Sequence, residues 1–179
     1  MSRSKVRMSV QRKAIIYGIT FGLILIILFY MVSTIINDAS PAKGKFAPDF
    51  TLDDFDGNAV TLSQYRGHPV LLDFMSTSCS DCNGDMPNLT ALYKDYSQKG
   101  VIFLSISYGG EDAPVLKAYL KGYGAGWKGL LGTGPVKQDY GIDALPTYLM
   151  IDPNGARGGS LSGHQTFESL KALVASGLP

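Results

Sequence analysis

Along residues 46–179, apolar and polar positions switch between the two-residue period of strands and the 3.6-residue period of helices. Phe50–Leu52 and Ala59–Leu62 flank Asp56-Gly57, a dipeptide suited to the positive-φ positions of a tight turn, and predict a β-hairpin. The run Pro69–Phe74 (PVLLDF) predicts a buried strand, followed by a helical pattern to about Gln98 with Leu89, Leu92, Tyr93 and Tyr96 on one face. Val101–Tyr108 (VIFLSISY), rich in β-branched and aromatic residues, predicts a second buried strand. Strand, helix and strand in that order make a βαβ unit with parallel strands. Asp112–Tyr123 predicts another helix, with Asp112 as its cap and Pro114 at an early position. Thr147–Ile151 is a predicted strand, Asp152–Gly155 a turn, and Thr166–Ala175 a closing amphipathic helix. A last strand is expected between Gly155 and Gly163, although its residues are poor strand formers. The class is α/β, a central mixed β-sheet flanked by helices.

The first 45 residues follow a different pattern. Ala14–Ile36 runs 23 residues without a charge, long enough at 1.5 Å per residue to cross a bilayer core of roughly 30 Å, and predicts one transmembrane helix. Arg3, Lys5, Arg7, Arg12 and Lys13 precede it with no acidic residue among them, which keeps the N-terminus cytoplasmic and the rest of the chain outside. A cleaved signal peptide is the competing reading, but the apolar run exceeds the usual length of one. The expected organisation is a cytoplasmic basic tail over 1–13, the membrane helix over 14–36, a small polar linker over 37–45 and one domain over 46–179. Five of the 16 lysines and arginines lie in the tail and all 15 acidic residues lie beyond the apolar run, so the domain is net acidic. That balance excludes a nucleic-acid partner; the membrane lipid is the partner of the N-terminal helix.

Both cysteines of the chain, Cys79 and Cys82, stand in FMSTSCSDCNGDMPNL, at the predicted start of a helix. A staple, half a metal site, a peroxidase centre and an electron-exchanging pair all begin from such a motif. Two cysteines cannot form a disulfide framework, and the ring closed by neighbours this near removes little unfolded-state entropy. A helix N-terminus stabilises a thiolate through unpaired N–H groups and the helix dipole, so Cys79 is placed as the nucleophile. Cys82, in the first turn, is placed to attack a mixed disulfide on Cys79 and release a reduced partner.

The segment PVLLDFMSTSCSDCNGDMPNL resembles the active-site region of thioredoxin-fold proteins, in particular the membrane-anchored TlpA/ResA-like thiol–disulfide oxidoreductases, a group related to the AhpC/TSA and redoxin proteins. The resemblance rests on the apolar strand before the pair, CxxC at a helix start, Pro87 in the following helix, and Leu145-Pro146-Thr147 ahead of a later strand. APDFTLDDFDGNAVTLSQYRGHPVLLDF also resembles the N-terminal hairpin and first strands of the family, so the match spans roughly Lys45 to Leu173. It implies a thioredoxin-like fold, a redox-active disulfide between Cys79 and Cys82, and reduction of protein disulfides with no cofactor beyond the cysteines. Asp73 matches the buried acid that moves the proton of the second cysteine. Leu145 and Pro146 match the cis-proline segment against which a substrate chain lies. The resemblance further implies disulfide-bearing protein substrates, with apocytochrome c cysteines or general disulfide repair as options, and a membrane electron donor fed from cytoplasmic thioredoxin.

Several positions depart from the family. Met75 and Ser78 stand where many relatives have tryptophan, and Asn83 replaces a basic residue after the second cysteine. Within the motif Ser80-Asp81 tunes the pair: the charge of Asp81 disfavours the Cys79 thiolate, with Asp85 a further acid nearby, so a reducing couple is expected, nearer about −270 mV than about −120 mV. A peroxiredoxin-type thiol peroxidase would need a proline where Leu72 stands, although Ser76 fits its Thr/Ser position. Copper or zinc transfer would need more ligands than one CxxC and the loop histidines His68 and His164 provide, and the copper-delivering relatives use a longer CxxxC spacing. Trp127 and the tyrosines are expected to be core or surface aromatics.

Overall fold

The computed structural model describes residues 17, 19–29 and 45–178, and the chain divides into two units between Pro41 and Ala42. In the first, residues 19–29 are helical and their apolar side chains are exposed. The predicted membrane helix over 14–36 extends beyond the described residues, and the basic tail over 1–13 and the linker up to residue 44 lie outside them; no helix among the described residues is long and apolar enough to cross a membrane.

The second unit has two sheets. Strand β1 (Thr51–Asp53) pairs antiparallel with β2 (Ala59–Thr61), Leu52 opposite Val60, which is the predicted hairpin with Gly57 at φ 82° in its turn. The main sheet is built from β3 (Val70–Met75), β4 (Ile102–Ser107), β5 (Lys128–Leu131), β6 (Thr147–Ile151) and β7 (Arg157–Ser162), in the order β5-β4-β3-β6-β7. Neighbours β3, β4 and β5 run parallel, whereas β6 is antiparallel to β3 and β7 antiparallel to β6. The helices are α1 (Ser80–Tyr96), α2 (Ala113–Gly122), α3 (Gly134–Tyr140) and α4 (Phe167–Ala175). This is a thioredoxin-like α/β arrangement, and β3–α1–β4 is the expected parallel crossover.

Alternation along the strands divides the core. Leu71 and Met75 of β3, Phe103 of β4, and Tyr148 and Met150 of β6 face a cluster shared with Cys82, Met86 and Leu89 of α1, Leu116 of α2 and Leu170 of α4. Leu72 and Phe74, Leu104 and Ile106, and Leu149 and Ile151 face the other cluster, closed by Phe50, Leu52 and Val60 of the hairpin region and Val136 and Tyr140 of α3. Both faces of the sheet are covered, which is why β3 is buried at every position.

Two elements escaped the sequence pattern. Strand β5 has four residues, KGLL, and α3 has seven beginning Gly-Pro; each is too short to establish a period. The weakly patterned edge strand β7 exists, and a Cβ on its Gly158 would stand 3.0 Å from the Met150 carbonyl oxygen, so close strand approach outweighs propensity there. Asp112 occupies the N-cap of α2 as expected, but its side chain makes no capping hydrogen bond. Helix α1 ends at Tyr96, two residues before the expected limit, and passes into a single 3-10 turn over Ser97–Lys99.

Candidate active site

Strand β3 ends at Met75, three residues turn, and α1 starts at Ser80 with Cys79 as its N-cap in extended geometry. The Cys79 sulfur accepts the Cys82 N–H at 3.1 Å, while the Cys79 N–H donates to the Ser76 carbonyl at 3.2 Å. The helix N-terminus therefore points a donor at this sulfur, as thiolate stabilisation requires. Cys79 and Cys82 form a disulfide with Cα atoms 5.2 Å apart. Their exposure differs: Cys79 is half-buried and Cys82 only 2% exposed, so an incoming sulfur reaches Cys79. Ser80 and Asp81 lie exposed in the first helical turn, where solvent screens the Asp81 charge and weakens the tuning expected of it.

Asp73 shares a sheet face with Leu71 and Met75, the face on which α1 lays Cys82. Register places it opposite Ser105 of β4 on one side and Tyr148 of β6 on the other. Ser105 Oγ donates to Asp73 Oδ2 at 2.7 Å and itself accepts from the Trp127 indole N–H at 2.8 Å. Asp73 Oδ1 is buried with no hydrogen-bond partner among the described residues. Burial therefore dominates: it pushes the carboxyl up to about 7, the Ser105 bond pulling it back and the charge of Asp85 adding to the rise. Trp127, read from the sequence as an ordinary aromatic, is thus the end of a hydrogen-bonded chain to this acid. As the only tryptophan, its fluorescence is expected to titrate with a midpoint near pH 7 and to lose that transition in Asp73→Asn; a flat profile in the wild-type protein would contradict the linkage.

Asp85 corrects its place in the sequence reading. It follows Cys82 by three residues and belongs to the buried stripe Cys82, Asp85, Met86 and Leu89. It is wholly buried, on the side of Cys82, where sequence reasoning had set it among acids tuning Cys79. Its carboxylate accepts the Tyr148 hydroxyl at 2.9 Å and the Gln165 main-chain N–H at 2.9 and 3.2 Å, and it pairs with His164 Nδ1 at 2.5 Å. Burial and the charges of Asp73 and Asp85 raise the Tyr148 hydroxyl far above its ordinary range, which keeps it a donor. The i, i+3, i+4, i+7 spacing was the signal that could have found Asp85.

A second carboxylate missed from the sequence, Glu111, holds the turn before Cys79. It accepts from Ser76 Oγ at 2.9 Å, from Thr77 N–H at 2.6 Å, from Thr77 Oγ1 at 2.8 Å, and from Ser107 Oγ. Burial alone would raise its carboxyl, but the bonds from Ser107 and Thr77 overcome that and hold it down at about 2. Gly109 makes the fold-back possible: a Cβ there would stand 2.1 Å from Glu111 Oε1 and 2.2 Å from Ser76 Oγ. Asn83 ties the same turn to α1 and α2, donating to the Thr77 carbonyl at 3.4 Å and accepting the Tyr119 hydroxyl at 2.7 Å. Glu111→Ala is expected to cost about 1–3 kcal/mol at pH 7 and to speed amide exchange at Thr77. The lowered carboxyl contributes stability above the ordinary carboxylate range and loses it as pH falls toward 2, so the difference from wild type should shrink in acid. Denaturant melts at pH 7 and pH 3 check this.

The Leu145-Pro146 peptide is cis, and Leu145 and Cys79 pack against the same core cluster. Pro146 is buried, and its carbonyl accepts the Gly163 N–H at 2.8 Å. Met75 is buried in the core and Ser78 is exposed. His68 lies in a loop, with Gly100 at its back. His164 is also a loop residue, but the contact of its Nδ1 with Asp85 sets it beside the redox helix. Among the described residues no three His, Cys, Asp or Glu side chains cluster as metal ligands.

Residues 43–156 match the model of the AhpC/TSA family. The chain is 34% identical over 136 residues to the thiol-disulfide oxidoreductase ResA of Geobacillus thermodenitrificans, covering 75% of this chain and 78% of that one. It is 30% identical over 140 residues, with the same coverage, to the ResA of Bacillus subtilis. Among solved structures, the thioredoxin domain of a thiol-disulfide oxidoreductase from Bacteroides vulgatus superposes with a TM-score of 0.66 at 27% identity, covering 75% of this chain and 99% of that one.

Proposed function

We propose that this chain, which belongs to the AhpC/TSA family and is a thiol–disulfide oxidoreductase, reduces disulfides of proteins outside the membrane to which its N-terminal segment anchors it. The observation that carries the reading is the asymmetry of the pair: Cys79 half-exposed at a helix N-cap, Cys82 buried behind it. In the reduced protein the Cys79 thiolate attacks one sulfur of a substrate disulfide, and the other leaves as a thiolate. Cys82 then gives up its proton, attacks Cys79 Sγ and expels the second substrate sulfur, leaving the Cys79–Cys82 disulfide. Asp73, and Asp85 one turn beyond Cys82, are the buried acids available to take that proton. Leu145 and Pro146 orient the substrate chain.

The uncharged run over 14–36 behind a basic tail supports a single-pass anchor with the N-terminus cytoplasmic. In that setting a membrane electron donor must re-reduce the pair, and the cysteine pairs of apocytochromes c are among the substrates. Peroxidase chemistry gains no support from the site. Leu72 faces the opposite core cluster, and the Ser76 hydroxyl is committed to Glu111 and Ser78.

In intact cells, a membrane-impermeant maleimide is expected to label Cys79 of the reduced full chain, and the purified chain to reduce the interchain disulfides of insulin with dithiothreitol as donor. Labelling only after lysis would reject the placement, and an inert purified chain would reject the activity.

A further inference from the structure

Each catalytic cycle takes a proton from Cys82 and returns it, yet Cys82 is 2% exposed. Asp85, on the same helix face, is sealed from water as well. Its three partners differ in kind. Tyr148, from β6, is core; Gln165 offers only a main-chain amide; His164, with 59% of its side chain in solvent, offers a titratable ring nitrogen. The other ionisable groups around Asp85 are Asp73 from β3 and Tyr148; Tyr119 of α2 acts on Tyr148 and feels the charge of Asp73. None of the three reaches solvent as far as His164 does. His164 lies over the first turns of α1, its ring 3.6 Å from where a Cβ on Gly84 would stand, an ordinary van der Waals distance.

We propose that His164 is a positioning residue that carries the proton between bulk water and Asp85, and so connects the buried Cys82 to solvent. The inference rests on the thiol–disulfide exchange described above and adds its proton path. When Cys82 resolves a mixed disulfide, its S–H proton passes to the Asp85 carboxylate and its sulfur bonds to Cys79 Sγ. The bond from Cys79 to the substrate sulfur breaks, and the electron pair leaves with that sulfur. Asp85 then gives the proton to His164 Nδ1, and the imidazolium releases the proton on Nε2 to water. Reduction of the pair runs the same path inward, and no electrons are exchanged beyond those of the two disulfides.

The test is the rate at which a preformed Cys79 mixed disulfide collapses, followed in the full chain across pH in dilute buffer. His164→Ala is expected to slow collapse about ten- to a hundredfold, with an unaltered melting temperature, and added imidazole should restore the rate in proportion to its concentration. His164→Gln, which keeps bulk and a hydrogen-bond donor but cannot pass a proton on, should be equally slow and equally rescued. Wild-type rates in both variants, or full recovery by glutamine without imidazole, would overturn the proposal; the second result would mark the ring as a structural contact only. Should His164→Ala fail to fold, the glutamine variant alone decides between these outcomes. A wild-type protein that forms no mixed disulfide would instead reject the exchange reading beneath it.

Discussion

Cys79→Ser should lose protein-disulfide reduction entirely, by more than about a thousandfold, because a serine hydroxyl is not ionised at neutral pH and no other thiol reaches the surface. Cys82→Ser should behave differently. Its Cys79 still sits at the N-cap and still attacks, so one substrate is consumed per chain and the reaction stops at a mixed disulfide. The contrast follows from burial, since a sulfur 2% exposed can resolve but cannot begin. Stability separates the two as well. The half-buried Cys79 tolerates a hydroxyl, whereas Cys82 lies among Met86, Leu89 and Tyr148, where an unpaired hydroxyl costs about 1–3 kcal/mol. Cys82→Ala avoids that cost and should give the same kinetic arrest. Mass spectrometry of the trapped adduct, with a burst amplitude of one substrate per chain, checks both.

Asp73→Asn should gain stability while losing rate. In the folded protein this carboxyl is held up to about 7, against 3.8 when exposed, chiefly by burial. The unfolded chain therefore releases the proton first. Whatever stability the neutral acid confers is complete below the unfolded value and is lost as pH rises from about 4 through about 7. An asparagine keeps the Ser105 bond and has no charge to bury, so at pH 8 it should be more stable than wild type by roughly 2–4 kcal/mol, the difference closing toward pH 4. Denaturant titrations at pH 4.5 and pH 8 measure it. Turnover should move the other way, because the amide removes one of the two buried carboxyls beside the Cys82 proton path and, with it, a charge that acts on Asp85. An Asp73→Asn protein that is less stable than wild type at pH 8 would show that the buried charge is compensated by groups other than Ser105.

How far the molecule could be read from its residues follows from the range of each interaction. The hairpin around Asp56-Gly57, the β3–α1–β4 crossover and the closing helix rest on local periodicity and turn chemistry, and they stand where the pattern placed them. Strand β5 and helix α3 rest on tertiary packing alone: Gly129 lets Leu116 and Leu120 of α2 approach the strand, a reason invisible in KGLL. The site divides in the same way. Cys79, Cys82 and the Leu145-Pro146 dipeptide lie in recognisable motifs, and Asp73 was legible only through the resemblance of the strand that carries it to the family's. Glu111 reaches Thr77 across 34 residues once β4 lies beside β3, and Trp127 reaches Ser105 across 22 once β5 lies beside β4. Asp85 was legible: its spacing assigns it to the buried stripe, whereas its charge alone says only that an acid lies near the pair. His164 has no local signal, since its partner is on another element.

The central claim is that Cys79 and Cys82 act as a dithiol that passes two electrons to protein disulfides. Reduced wild-type protein mixed with equal amounts of a disulfide-bonded protein and hydrogen peroxide tests it most directly, with both thiols followed by alkylation and mass spectrometry. The expected result is one substrate disulfide reduced for each Cys79–Cys82 disulfide formed, with peroxide largely untouched. Preferential loss of peroxide, with Cys79 passing through a sulfenic acid while the protein disulfide survives, would contradict it.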